Sequence, residues 1–184
     1  MKKRMDALLK RAMWISIIVF VIRCCFSWNS LVVNVSAYTV FGYIGEAIGV
    51  AAILIGLYEK WGWQWDPFIK EKNFKGKYKG KIVSNYDGSE REATLEIKQT
   101  FLSIDVKMIT EESKSRTVAA MIEKILGVQE LVYTYFNEPK ASVRDRSEIH
   151  FGTARLSFEQ DGKIAGNYYT DRDTRGEMVF EKGR

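Results

Sequence analysis

The residues best suited to hold a ligand are concentrated in one short stretch near the end of the chain. Gly166-Asn167-Tyr168-Tyr169-Thr170-Asp171-Arg172-Asp173-Thr174-Arg175-Gly176 combines guanidinium, hydroxyl and aromatic groups with turn-forming residues. As a strand it places Gly166, Tyr168, Thr170 and Arg172 on one face. Met178 and Phe180 mark the inward face of the following strand, and alternation predicts that Tyr168, Thr170 and Arg172 also point inward. An inward Arg is costly unless it is paired. A carboxylate, Asp171 or Asp173, could pair with it through the turn. The other reading is an Arg poised for a phosphate through charge-assisted hydrogen bonds. Tyrosines such as Tyr78 and Tyr168 could stack on bases.

The remaining reactive groups exclude several classes. Cys24 and Cys25 are adjacent within an apolar run, and His150 is the one histidine. That set gives no disulfide framework and no zinc site. Glu148 and His150 could do acid–base work, but no constellation around them is legible. No catalytic residue, metal or cofactor is therefore expected. The net charge of +5 and pI of about 9.1 favour anionic partners. Part of that excess belongs to the positive-inside bias of membrane proteins.

These groups must be positioned by a chain with two unlike parts. Two apolar segments, about 12–28 and 35–58, read as transmembrane helices. Trp14 and Trp28 bracket the first, and Trp61, Trp63 and Trp65 follow the second like an aromatic belt. The connector from Asn29 to Ser36 is uncharged, whereas basic residues flank the pair, so both termini read as cytoplasmic. Lys2, Lys3, Arg4, Lys10 and Arg11 resemble the start of a signal peptide. No small-residue cleavage site follows, and Arg23 argues against a lipoprotein site at Cys24. Gly42, Gly45, Gly49, Ala52 and Gly56 lie on one face of the second helix, where small residues let helices approach in lipid. That face could pack on the first span or on another copy of the chain. Arg23 and Glu46 are ionisable groups within the apolar runs, expected to pair within one hairpin or between neighbours.

Residues 67–73 read as a linker, opened by Asp66-Pro67, and 74–184 as a separate head. From Phe74 the period becomes two. Lys75, Lys77, Lys79 and Lys81 face one side; Phe74, Gly76, Tyr78, Gly80 and Ile82 face the other. The glycines suggest an under-filled interior, approached by a ligand or bent sharply. Further runs at 93–100, 102–110, 117–123, 131–136, 149–158, 164–172 and 176–180 make about eight strands, with Asp87-Gly88 and Asp161-Gly162 as turns. Short sequential strands predict an up-and-down antiparallel β-barrel, with room for packed side chains or one small ligand.

The two-span anchor, the opening Gly76-x-Tyr78-x-Gly80 strand and the closing Gly166–Gly176 hairpin together resemble the two-transmembrane, β-strand-rich effectors of CBASS, the bacterial anti-phage defence that signals through cyclic oligonucleotides. The resemblance implies a barrel that binds a cyclic dinucleotide made by a partner nucleotidyltransferase. It also implies homo-oligomerisation of the helices, disruption of the bacterial inner membrane and death of the infected cell. Ligand roles carried over from it fall on Tyr78, Tyr168, Thr170, Arg172 and Thr174. Membrane lipids are the other expected partner, and no DNA or RNA is expected. The competing readings are a constitutive small membrane toxin or channel, and a membrane-tethered barrel for lipid or another small ligand.

Overall fold

A computed structural model of the protein describes residues 2–28, 36–159 and 161–183. The connector expected outside the membrane, from Asn29 onward, and the expected start of the second span at Val35 lie outside the described residues, as does the side chain of Trp28. The chain divides into two units, Met1–Ile69 with Thr100–Leu102, and Lys70–Gln99 with Ser103–Arg184.

The first unit is built on two helices, α1 (Lys2–Trp28) and α2 (Ala37–Lys60). No glycine or proline separates the basic start of α1 from its apolar run, and both form one helix. Ser36 caps α2, its Oγ accepting a hydrogen bond from the Thr39 N–H at 3.2 Å. Among the described residues α2 alone is long and apolar enough to cross a bilayer; its 24 residues extend about 36 Å. The helices meet along Ala47 and Ala51, both buried, with the Tyr43 and Ser27 hydroxyls 2.6 Å apart. Arg23 Nε donates to Glu46 Oε2 at 3.0 Å, and its guanidinium lies over the Tyr43 ring. Of the two expected pairings for these charges, the one within the hairpin is formed.

The aromatic belt needs correcting. Gly62–Trp65 is a 3₁₀ turn, in which residues two apart do not share a face. Trp65 is exposed, but Trp63 is buried with Leu8 and Phe101 in a small core. Leu102, expected to open a strand, and Phe101, between two expected strands, belong to this unit, and the Phe101 N–H donates to the Glu59 carbonyl at 2.9 Å. Arg11 and the Tyr58 hydroxyl both reach Asp66 Oδ2, at 2.8 and 2.7 Å.

The second unit is a closed antiparallel barrel: β1 (Gly76–Ser84), β2 (Glu90–Gln99), β3 (Ile104–Thr110), β4 (Ser113–Ile125), β5 (Val128–Pro139), β6 (His150–Phe158), β7 (Ile164–Thr170) and β8 (Arg175–Lys182). Each strand pairs with the next, and β1 pairs with β8 to close the ring. Lys75, Lys77, Lys79 and Lys81 are exposed, as the alternation predicts. Gly88 and Gly162 sit at φ +63° and +81°, the left-handed backbone their turns require.

Two expectations about the interior change. The 117–123 run, expected to be weak, lies within the longest strand, β4, which carries an irregularity between Thr117 and Ala119. The glycines of β1 leave no void: a Cβ on Gly80 would collide with the Val179 carbonyl and the Phe180 ring. Phe74, Tyr78, Leu95, Leu131, Leu156 and Phe180 fill the half of the barrel where β1 begins. Gln99 and Gln129 hold the incoming chain there, accepting from the Phe74 and Lys72 N–H groups at 2.7 Å each.

Candidate ligand cavity at the barrel mouth

Four hairpins, β1–β2, β3–β4, β5–β6 and β7–β8, lie at the barrel end opposite the start of β1. Among them is a cavity of about 480 Å³, within the usual range for small-molecule sites. Ile82, Met108 and Tyr135 supply apolar surface where the packed core ends. A larger depression of about 1010 Å³ lies elsewhere, but it is lined largely by outward residues such as Lys81 and Glu90, already paired at 2.7 Å. That mixed-sign outer surface lacks the convergent groups of the mouth.

The structure brings Tyr168, Thr170, Arg172 and Thr174 together on this cavity. Tyr168 is the β7 residue opposite Gly176, and a Cβ there would lie 2.7 Å from its ring. The missing side chain lets the ring lie against the wall. Thr170 and Thr174 close the β7–β8 turn, their hydroxyl oxygens 2.6 Å apart and the Thr170 N–H donating to the Thr174 carbonyl at 2.9 Å.

Arg172 is not on a strand facing the interior. β7 ends at Thr170, and Asp173 takes a left-handed conformation, φ +59°, so alternation stops before Arg172. The residue sits exposed on the turn, at the rim, and donates from Nη1 to the Glu148 carbonyl at 3.4 Å. Asp171 does not neutralise it; that carboxylate accepts from the Phe151 N–H at 3.1 Å. Among the described residues Arg172 makes no ion pair. The inward position is thus corrected to the rim, and the carboxylate partner is not found.

Tyr78 stands apart from the other four. It is fully buried in the core, its hydroxyl donating to the Phe74 carbonyl at 2.9 Å, and burial raises its pKa. A ring already packed and hydrogen-bonded has no face left for a base, so Tyr78 is a core residue.

Sequence reasoning missed Tyr135 and Asn137 and gave His150 a different task. All three are buried and line the cavity. Burial pushes the Tyr135 phenol well above its ordinary range, so it stays a neutral donor. The end of its ring occupies the space a side chain at Gly152 would need. His150 Nδ1 lies 2.9 Å from the Glu148 carbonyl. A carbonyl only accepts, so Nδ1 carries the proton and Nε2 is left as an acceptor. Burial lowers the His150 pKa, which keeps the ring neutral. The sequence signal was Asn137 in phase with Leu131, Tyr133 and Tyr135, a polar side chain on an apolar face. Arg91 and Arg146 also reach the cavity, each held by a carboxylate, Asp87 and Glu112 respectively.

A chamber filled at one end, with rings, hydroxyls and an unpaired guanidinium at the other, suits an anionic ligand with flat apolar faces. Residues 69–182 match the family described as "Cap15, cyclic dinucleotide receptor domain". The chain belongs to that family. Over its whole length it is also similar to a Staphylococcus schleiferi protein named CD-NTase-associated protein 15, at 29% identity over 189 residues, covering 99% of both chains. The Cap15 match includes all eight strands, and the similarity to the staphylococcal protein extends through α1 and α2. The family's description is that of a receptor.

Proposed function

We propose that this protein is a CBASS effector whose barrel mouth binds a cyclic dinucleotide and thereby drives its helices to assemble and breach the bacterial inner membrane. The observation that carries the reading is the cavity itself, where Tyr168, Thr170, Arg172 and Thr174 converge within a barrel of the cyclic dinucleotide receptor family. Two phosphates are met by Arg172, with Thr170 and Thr174 as neutral donors; the bases use the Tyr168 and Tyr135 rings. The messenger comes from a partner nucleotidyltransferase, and no group in the chain alters it.

In this reading residues 1–66 are the anchor, 67–73 the linker and 74–184 the sensor. Both helices span, with the termini in the cytoplasm. α2 supplies the length and apolarity for one span. In α1, Arg23 is matched by Glu46, which lowers the cost of holding it in lipid. Ligand binding favours assembly only if the assembled state binds the messenger more tightly.

The test is dye release from vesicles carrying the full chain, titrated with cyclic dinucleotides. Release is expected only with the nucleotide, and Arg172→Ala should weaken binding ten-fold or more, about 1.4 kcal/mol. Release without nucleotide marks a constitutive channel. Binding of a lipid with no nucleotide response marks a carrier. Either result defeats the proposal.

A further inference from the structure

A row of polar side chains crosses three strands beside the cavity, two of them on its lining, and the phosphate and stacking contacts do not use them. Ser115 on β4 pairs in register with Asn137 on β5, which pairs with His150 on β6. All three face inward and are buried, with 1%, 7% and 9% of their surface exposed. On β5 and β6 the same face continues into Tyr133, Tyr135 and Ala154, which are core residues, so Asn137 and His150 stand where the apolar interior gives way to the cavity. Buried polar groups in folded proteins nearly always have partners. Here Ser115 Oγ has none. The Asn137 amide, which reaches the cavity, also makes no side-chain hydrogen bond among the described residues. His150 uses Nδ1 on the Glu148 carbonyl and leaves Nε2 without a partner.

We infer that Asn137 and His150 read the hydrogen-bonding edge of one base, and that they select an amino-bearing purine over uracil. This rests on the cavity being the cyclic dinucleotide site. An amide side chain offers one acceptor and two donors in a plane, and pairs with a base edge that presents a donor beside an acceptor. His150 Nε2 adds an acceptor on the adjacent strand, and only a further donor satisfies it. Adenine and guanine supply it from an exocyclic amino group. Uracil has one ring N–H between two carbonyls, so pairing that N–H with Asn137 turns a carbonyl toward Nε2. Two acceptors then face each other in a buried site, and a site built for a hydrogen bond rejects the ligand that lacks it. Met108, opposite Ser115 on β3, and Tyr135 provide apolar surface for the base.

The experiment is calorimetric titration of the full chain in detergent with cyclic di-AMP, cyclic di-GMP and cyclic di-UMP, for the native protein, Asn137→Leu and Arg172→Ala. The native protein is expected to bind at least one purine dinucleotide ten-fold or more tightly than cyclic di-UMP. Asn137→Leu should bring that ratio below about three-fold. Arg172→Ala should weaken all ligands alike and preserve the ratio. Leucine keeps the branched outline and the number of side-chain heavy atoms of asparagine, its extra volume can enter the cavity that Asn137 lines, and it removes an unpaired amide, so the Tm of Asn137→Leu without ligand should be unchanged or higher. If that variant fails to fold, His150→Phe keeps the ring, removes the acceptor and should lower the ratio in the same direction. A purine preference that survives in the folded variant overturns the inference, as does equal binding of cyclic di-UMP by the native protein. Failure of all three ligands to bind the native protein overturns the cyclic dinucleotide reading itself, and this inference with it.

Discussion

His150 shows how much of a residue's role depends on its surroundings. From the sequence it was a lone histidine near Glu148, with acid–base chemistry as its one functional reading. In the fold its Nδ1–H is fixed on the Glu148 carbonyl, and burial, with the Arg172 guanidinium nearby, favours the uncharged ring; the hydrogen bond to that carbonyl and the Asp171 charge act the other way. An unfolded histidine titrates near 6.5. The folded value lies lower, so the unfolded chain takes up the proton first as pH falls. Stability is therefore complete above about pH 6.5 and is lost as pH drops toward the folded pKa. The difference in Tm between pH 8 and pH 5.5 should shrink in His150→Phe; an unchanged difference would remove the buried neutral ring from the account. Tyr168 and Thr170 were legible because period-two alternation holds through β7. Arg172 was not, because nothing in the spelling Thr-Asp-Arg-Asp-Thr fixes where strand becomes turn. Tyr78 was misread for a related reason: a tyrosine on an inward face is equally suited to core or ligand until its hydroxyl finds Phe74.

The hairpins, rather than single strands, build the mouth. β7–β8 brings Tyr168, Thr170, Arg172 and Thr174 together, and β5–β6 brings Asn137 and His150 face to face. Both hairpins depend on glycine at a point where a ring or a carbonyl takes the space of a side chain. At Gly176 a Cβ would sit 2.0 Å from the Val83 carbonyl oxygen and 2.7 Å from the Tyr168 ring. Gly176→Ala should therefore strain the β1–β8 closure and cost about 1–3 kcal/mol. It should also lower Tm by several degrees per kcal/mol, readable by thermal melting followed by circular dichroism. An alanine variant as stable as the native chain would mean the seam is looser than the packing indicates. The strands themselves were largely legible, since alternation and the Asp-Gly turns survive in the fold. Less legible was β4, where the irregularity between Thr117 and Ala119 breaks the period and hides a strand of 13 residues.

The whole molecule joins a receptor-family barrel to a helical pair, and the second helix has one face uncommitted. On α2 the stripe of Gly42, Gly45, Gly49, Ala52 and Gly56 lies roughly 180° around from the face containing Tyr43, Ala47 and Ala51 at 100° per residue. A Cβ on any of the stripe's glycines would meet nothing within 4 Å. Packing on the first helix, one of the two uses the sequence allowed, is served by the other face. Gly45→Leu with Gly49→Leu should leave the hairpin and dinucleotide affinity intact, while vesicle leakage and higher oligomers on native gels disappear. Normal oligomers in that variant would detach the stripe from assembly. The division into helical and β-rich parts was legible from hydropathy and period alone. The assignment of Phe101 to the helical unit was not, because a short turn between two strands carries no pattern of its own. The packed half of the barrel has a kinetic consequence. Phe74, Tyr78 and Phe180 stop the chamber at one end, so among the described residues the hairpin end is the way in and out for a messenger held at the proposed site. A bulky change at the lintel that touches no bound atom slows both passages by the same factor. Such a variant would leave the equilibrium constant where it was and lengthen the alarm once it has sounded.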